Sequence, residues 1–304
     1  MSYALSIAET CGLNVILALS VYATFMVGQF SLAQVGFWSI GAYVTGILVA
    51  LYGMPLVLAL LCAALLCAVI GLALGYPCLR IRGIYLAMAT VAFIEVVRVF
   101  WNNVTLPIPS GPLILGPAGP LGFRGIPVVT KWVQIFTADL VLIALFAWLE
   151  RSRFGLAVKM LRQDETAAAC AGVRIVSMKV GAFAFGAAIA ALGGGLYGTY
   201  VSSVTADNFG FHLGLISVFF VAIGGSDRFV GPVIGAIVLT VLPDVLRFAG
   251  DFRMVLYGAI VLAIATVFPR GIDGIWTSLI QHWRRKRDRT VAGATRRSQH
   301  HAAS

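Results

Sequence analysis

Residues 150–179 read ERSRFGLAVKMLRQDETAAACAGVRIVSMK, and the topology of the chain turns on them. This is the longest well-charged interval between two apolar runs. It carries Arg151, Arg153, Lys159, Arg162, Arg174 and Lys179 against Glu150, Asp164 and Glu165. In a chain that crosses a membrane, a short loop this rich in cations stays in the cytoplasm. The loop also has local order written into it. Residues 154–163 predict a short helix with Leu156, Met160 and Leu161 as its apolar contacts. Asp164 is a good N-cap for a second helix over residues 165–171, made mostly of alanine. Gly172 then supplies the stop, since glycine enters the left-handed conformation without penalty. The second helix would be a rod of about 10 Å. The alternative reading is a solvated loop that happens to hold a capped helix.

The remaining composition sets the class. Of the 304 residues, 60% are hydrophobic and only 11% are charged, against about 25% charged in soluble domains. Long apolar runs recur from residue 12 to residue 269, so nearly the whole chain is one integral helical domain, assigned to residues 1–275. The formal net charge of +10 is concentrated in short loops and in the tail after Gln281. That distribution is a topology signal, with lipid and not nucleic acid as the implied partner. Residues 276–304, with their WRRKRDR run, read as a basic, disordered cytoplasmic tail. The five cysteines are scattered without a metal-type pair, and the first ten residues lack Lys and Arg and predict no cleavable signal peptide.

In chain order, spans are predicted at residues 12–30, 31–53, 55–75, 83–101, 132–149, 180–201, 211–223, 230–248 and 254–268. The fold class is therefore an all-α polytopic bundle of about 8–10 transmembrane helices, some broken or short. The second span opens with Ser31, Gln34, Ser39 and Thr45 among Gly36, Gly41 and Gly46. One reading is small-residue helix packing. The other is a broken helix beside a translocation path, because irregular backbone at membrane depth needs protein or water around it. Glu95 and Arg98 sit three apart inside the fourth span, close enough to pair, as a self-neutralising couple or a polar path lining. Arg80 and Arg82 mark a cytoplasmic turn. Residues 102–131 form the largest outward loop and hold six of the eleven prolines, which suits a lid or docking surface as well as a plain structured loop. Gly193-Gly194-Gly195 predicts a kink or very close packing. Residues 211–223 are short for a span, yet they must cross if the central loop and the tail share a side. The N-terminus then lies outside and the crossings number nine.

Three ordered stretches and two closing segments carry a family resemblance. GQFSLAQVGFWSIGAY, LRIRGIYLAMATVAFIEVVR and SRFGLAVKMLRQDETAAACAGV, with the closing GGSDRFVGPVIGAIV and FPRGI, resemble the M-type permease subunit of branched-chain amino acid ABC importers. The match runs from about Gly12 to Gly274. The resemblance implies a second related permease, two ABC ATPase subunits and an extracytoplasmic substrate-binding protein. It implies a plasma (inner) membrane location in a bacterium. ATP and Mg would sit on the ATPases, so the chain itself needs no cofactor and no catalytic residue. No G-x-x-x-x-G-K-[ST] stretch is present. The residues that match the ATPase-coupling loop are Asp164, Glu165, Ala168 and Gly172; path candidates are Ser31, Gln34, Ser39, Thr45, Glu95 and Arg98. The expected cargo is leucine, isoleucine or valine, with urea, short amides or aromatic acids as alternatives. Ser226-Asp227-Arg228 departs from the small, uncharged turn of the family. Two other classes are weaker. An ion-coupled secondary transporter would need its own ion site, and only Glu95, Arg98 and Asp207 offer one. A membrane enzyme would need His or carboxylate clusters, and three of the four histidines lie in the tail.

Overall fold

The computed structural model describes residues 3–78, 83–106, 108–110, 113–267 and Gly271. The turn at Arg80 and Arg82, the closing Pro269-Arg270 and the basic tail of residues 276–304 lie outside the described residues.

The chain begins with α1 (Tyr3–Phe25), α2 (Gln34–Tyr52), α3 (Leu56–Cys78) and α4 (Ile84–Asn103). After β1 (Ile108–Ser110), β2 (Leu113–Pro117) and β3 (Phe123–Arg124), α5 (Trp132–Arg151) returns along the bundle. Then come α6 (Arg153–Gln163), α7 (Glu165–Cys170) and α8 (Ile175–Val201). β4 (Ser203–Val204), a 3-10 turn at Ala206–Phe209, α9 (Phe211–Gly224), α10 (Val230–Val245) and α11 (Arg253–Val267) complete the fold. Seven helical stretches are long and apolar enough to span a bilayer, and Val230–Val245 and Arg253–Ile264 are shorter apolar helices. The helical bundle predicted from hydropathy is the architecture observed.

Four boundaries differ in ways that have physical causes. The first span starts at Tyr3 rather than residue 12, because Glu9 is taken into the helix interior, where its carboxylate accepts a hydrogen bond from Tyr200 Oη at 2.8 Å. The same helix stops at Phe25. Residues 26–33 then run through the bundle without helix, and Gln29, Ser31, Leu32 and Ala33 are buried. The sixth span starts at Ile175, with Lys179 inside the helix and paired to Glu165. The run over residues 211–223 gains length from the 3-10 turn before it, making one apolar stretch Ala206–Gly224.

Helix α2 is the axis of the bundle and packs along α8, α3 and α4. The triplet Gly193-Gly194-Gly195 produces close packing, since α8 continues unbroken through it. A Cβ on Gly194 would fall on the Trp38 carbonyl oxygen, and one on Gly195 would meet Thr45 and Leu60. Small residues let the two backbones touch, which is how helices associate where no hydrophobic force separates protein from solvent. Gly36, Gly41 and Gly46 face Phe93, the Ala191 backbone and Phe123, three different neighbours around one helix.

The outward loop is a small sheet, an addition to the all-α expectation. Its strands are ordered β1-β2-β3-β4, all antiparallel, with Phe123 opposite Val204. Phe123 is fully buried, and the Tyr43 ring stacks on Trp101 at 4.3 Å, so the sheet closes over the ends of α2 and α4.

Tie points at both ends fix the direction of each helix. Arg98 of α4 reaches Asp207 just before α9, and Tyr3 of α1 reaches Asp244 of α10; these lie at the sheet end. Glu150 of α5 reaches Phe229, and Arg162 of α6 reaches Ser226; these lie at the loop end. Helix α9 therefore runs from one end of the bundle to the other and counts as a crossing.

Candidate functional site

The loop over residues 150–179 is built as a rigid knuckle. Ser152 turns the chain out of α5: its hydroxyl donates to the Leu149 carbonyl at 2.7 Å and accepts from the Gly155 N–H at 3.4 Å. Gly155 is needed there because a Cβ would press on the carbonyls of Leu149 and Glu150 at 2.6 Å. That contact sets the phase of α6. Its buried face is Gly155, Val158 and Leu161. Of the contacts expected from sequence, Leu161 is buried and Met160 half-buried, but Leu156 is 64% exposed. Leu156 and Phe154 thus stand on the outer surface beside Arg153 and Lys159.

Asp164 links the two short helices. Its Oδ1 accepts from the Thr166 N–H at 2.7 Å and the Ala167 N–H at 3.2 Å, satisfying two donors a helix start leaves open. The Ala167 and Thr166 amides hold this carboxyl below the usual carboxylate range. At the other end Gly172 has φ +83°, its N–H bonds Ala169 O, and Val173 N–H bonds back to Ala168 O, closing a C-terminal cap. Among the four coupling residues expected from sequence, Asp164, Glu165 and Gly172 are exposed. Ala168 is fully buried and anchors the knuckle to the bundle. Glu165 bonds Lys179 Nζ at 2.5 Å, tying α7 to the start of α8.

The path candidates fall into two groups. Ser31, Gln34, Ser39 and Thr45 are all buried within the chain. Ser31 Oγ accepts from Ala33 N–H at 3.2 Å, and Leu32 N–H donates to Thr90 Oγ1 of α4 at 3.2 Å. Among the described residues, both amide atoms of Gln34, Ser39 Oγ and Thr45 Oγ1 have no hydrogen-bond partner, and neither does Gln29 Oε1. Buried polar atoms in native folds are rarely left so, and here they collect on the unwound segment and on α2. Glu95 and Arg98 form the second group and do pair, Nε to Oε2 at 2.8 Å. Arg98 also bonds Asp207 Oδ1 at 2.8 Å, so the couple is a triad with an excess carboxylate. Eight residues separate Glu95 from Asn103, which puts it about 12 Å along α4 from the sheet end.

Several polar groups in the bundle were not singled out from sequence. Asp139 of α5 is buried against Gly12 of α1, and its Oδ1 has no partner among the described residues. Glu9 and Asp139 each stand alone in an apolar run, a signal that ionisable residues in membrane helices carry by default. Glu150 ends α5 and accepts at Oε1 from Tyr22 Oη and Phe229 N–H, both at 2.7 Å. Its partners lie 128 and 79 positions away, so no local pattern could reveal them. A cavity of about 330 Å³ opens between α1, α2, α8 and α9, bordered by Asn14, Trp38, Tyr197, Tyr200 and Asn208. Among the described residues no cluster of His, Cys, Asp and Glu is arranged to hold a metal ion.

Matched against models of known families, residues 3–265 fit the branched-chain amino acid transport system / permease component family. The chain belongs to that family. It is similar to the high-affinity branched-chain amino acid transport system permease protein LivM of Salmonella typhimurium, at 28% identity over 86% of this chain and 66% of that protein. LivM of Escherichia coli is 29% identical over the same shares. The chain thus spans just under two thirds of the length of these curated relatives. No solved structure gives a significant match. As a member of a permease-component family it is a transport membrane subunit, and its apolar helices make it a multi-pass one.

Proposed function

We propose that this chain is a permease subunit of an ATP-driven ABC importer and moves a small zwitterionic or neutral solute across the plasma (inner) membrane of a bacterium. The observation that carries the reading is the exposed, doubly capped α6–α7 knuckle on the cation-rich end of a bundle of this family. That end lies in the cytoplasm under the positive-inside rule, the N-terminus lies outside, and the basic tail returns inside. The knuckle docks on an ATPase subunit, which supplies ATP hydrolysis and its Mg, so the chain carries no cofactor of its own. Exposed Phe154 and Leu156 on α6 suit a protein partner better than water, and Asp164 and Glu165 are exposed at the start of α7. The other subunits are a second, related permease, a second ATPase and an extracytoplasmic binding protein. Membrane lipid surrounds the bundle, and nucleic acid has no part.

The cargo is most economically a branched-chain amino acid, which is what the names of both LivM relatives state for those proteins. The candidate lining fits a zwitterion: Ser31, Gln34, Ser39 and Thr45 offer hydrogen bonds without charge, and Arg98, shared by Glu95 and Asp207, sets one cation beside the carboxylates. Selection then falls to the binding protein. The test is reconstitution of the whole complex in vesicles with ATP inside, followed by uptake of labelled leucine, urea and putrescine. Leucine uptake is expected, with urea second. Putrescine uptake without the other two overturns the solute assignment, and ATP-independent uptake overturns the ABC reading in favour of an ion-coupled carrier.

A further inference from the structure

The turn between α9 and α10, Ser226-Asp227-Arg228, carries two charges, and the structure gives it a partner. Arg162, in the last turn of α6, donates Nη1 to the Ser226 carbonyl at 2.5 Å and Nη2 to Ser226 Oγ at 2.7 Å. The same Nη2 lies 3.2 Å from Asp227 Oδ1. Two residues on, the Phe229 N–H donates to Glu150, which closes α5 just before the knuckle starts. The α9–α10 turn is therefore held from both sides by groups that bracket α6.

The body behind that turn is stiff. A Cβ on Gly224 would fall on the Gly231 carbonyl, and one on Gly235 would fall on the Phe220 carbonyl, so α9 and α10 are in backbone contact. Contact of this kind leaves no void between the two helices to absorb a displacement. At its far end, Asp207 precedes α9 by one 3-10 turn and is bonded to Arg98 of α4, beside Glu95. One turn into α9, Gly214 packs on Leu32 of the unwound segment and on Ile94 of α4. One close-packed hairpin thus touches the knuckle at one end, and both the unwound segment and the charged triad toward the other.

We propose that Arg162 and Asp227, with Ser226 and Glu150, form a clamp by which the α6–α7 knuckle drives the α9–α10 hairpin as a lever. Displacement of the knuckle by an ATPase is carried to residues 28–33 and to Glu95–Arg98–Asp207 through this hairpin rather than through the covalent neighbours α5 and α8 alone. Arg162 and Asp227 are positioning residues here and touch no solute. The inference rests on the functional reading above. A plain surface ion pair would contribute little to stability and would leave the ratio of uptake to ATP hydrolysis unmoved.

That ratio is the test, measured on the complete complex in vesicles. Arg162→Glu and Asp227→Arg are each expected to lower solute moved per ATP by about ten-fold while hydrolysis continues, and the double exchange Arg162→Glu/Asp227→Arg to recover most of it. An unchanged ratio in either single variant, or a double exchange no better than the worse single, overturns the clamp. If Arg162→Glu does not assemble, Arg162→Lys decides. It keeps the charge but loses the forked geometry, so an intermediate ratio supports the clamp and a normal one overturns it. Absence of transport of the tested solutes by the unaltered complex counts against the solute assignment alone. The clamp is then read from stimulation of ATP hydrolysis by the binding protein, which Arg162→Glu must abolish and the exchange restore; stimulation that survives overturns it.

Discussion

The seam between α2 and α8 and the knuckle at α6–α7 both depend on glycine, for opposite reasons. In the seam, Gly194 vacates volume so that the Trp38 backbone can sit against it, and its conformation is ordinary helix. In the knuckle, a Cβ on Gly172 would meet nothing within 4 Å, and what the glycine supplies is a φ of +83°. One glycine is a packing device and the other a conformational one. A side chain in the seam has nowhere to go and must force two backbones apart. A side chain at Gly172 has ample room and strains only its own residue. The seam is thus a determinant of the fold, and the knuckle a feature whose loss the fold would survive.

The comparison breaks most severely if the seam tolerates volume. Gly194→Val is expected to cost about 3 kcal/mol or to prevent folding, since overpacking against backbone cannot be relieved by a rotamer change. Gly195→Ala should be milder, because its neighbours are the Thr45 and Leu60 side chains. Yield of monodisperse protein in detergent and its melting midpoint measure both. Near-normal melting of Gly194→Val would mean the helices separate easily and the seam is not the organising contact.

Gly172→Val sharpens the other side. The left-handed conformation costs a non-glycine residue about 1–2 kcal/mol, enough to unwind a short capped helix but not the bundle. Melting should match the unaltered protein, while uptake per ATP falls several-fold, about the effect of that strain on a local equilibrium. Normal uptake by an assembled Gly172→Val complex would remove the knuckle from the transport mechanism.

The smallest effect belongs to Asp164. Asp164→Ala should speed hydrogen exchange at the Thr166 and Ala167 amides and leave the bundle untouched; Asp164→Asn should keep much of the protection. The pH dependence has a definite sign. The folded pKa is lowered by the two backbone donors, so the stabilisation is fully present above the ordinary aspartate value and is lost as pH falls through the lowered one. Protection that disappears already near the ordinary carboxylate range would show that the cap is not holding the ionised form.

Most of the helical frame was legible because it is local. Apolar runs, the cationic loop and the Asp164…Gly172 bracket are written in consecutive residues, and a bilayer leaves helices as the main way to satisfy their backbone. The misplaced start of the first span has a tertiary cause, the Tyr200 hydroxyl that makes Glu9 acceptable inside the bundle. Leu156 was expected inside because helical periodicity locates a stripe but not its phase, and the phase came from Gly155 against the carbonyls of α5.

The sequence alone therefore determined the class and the existence of a capped knuckle, because hydropathy, charge and capping act over a few residues; of the nine crossings expected, seven helical stretches among the described residues are long and apolar enough to span. Only the tertiary structure decided what each polar group meets: Arg98 with Asp207 as well as Glu95, Glu150 with Tyr22 and Phe229, and Arg162 with Ser226 and Asp227. Those partners lie 64 to 128 positions apart, Glu95 and Arg98 excepted, so only the packing of the helices brings them together.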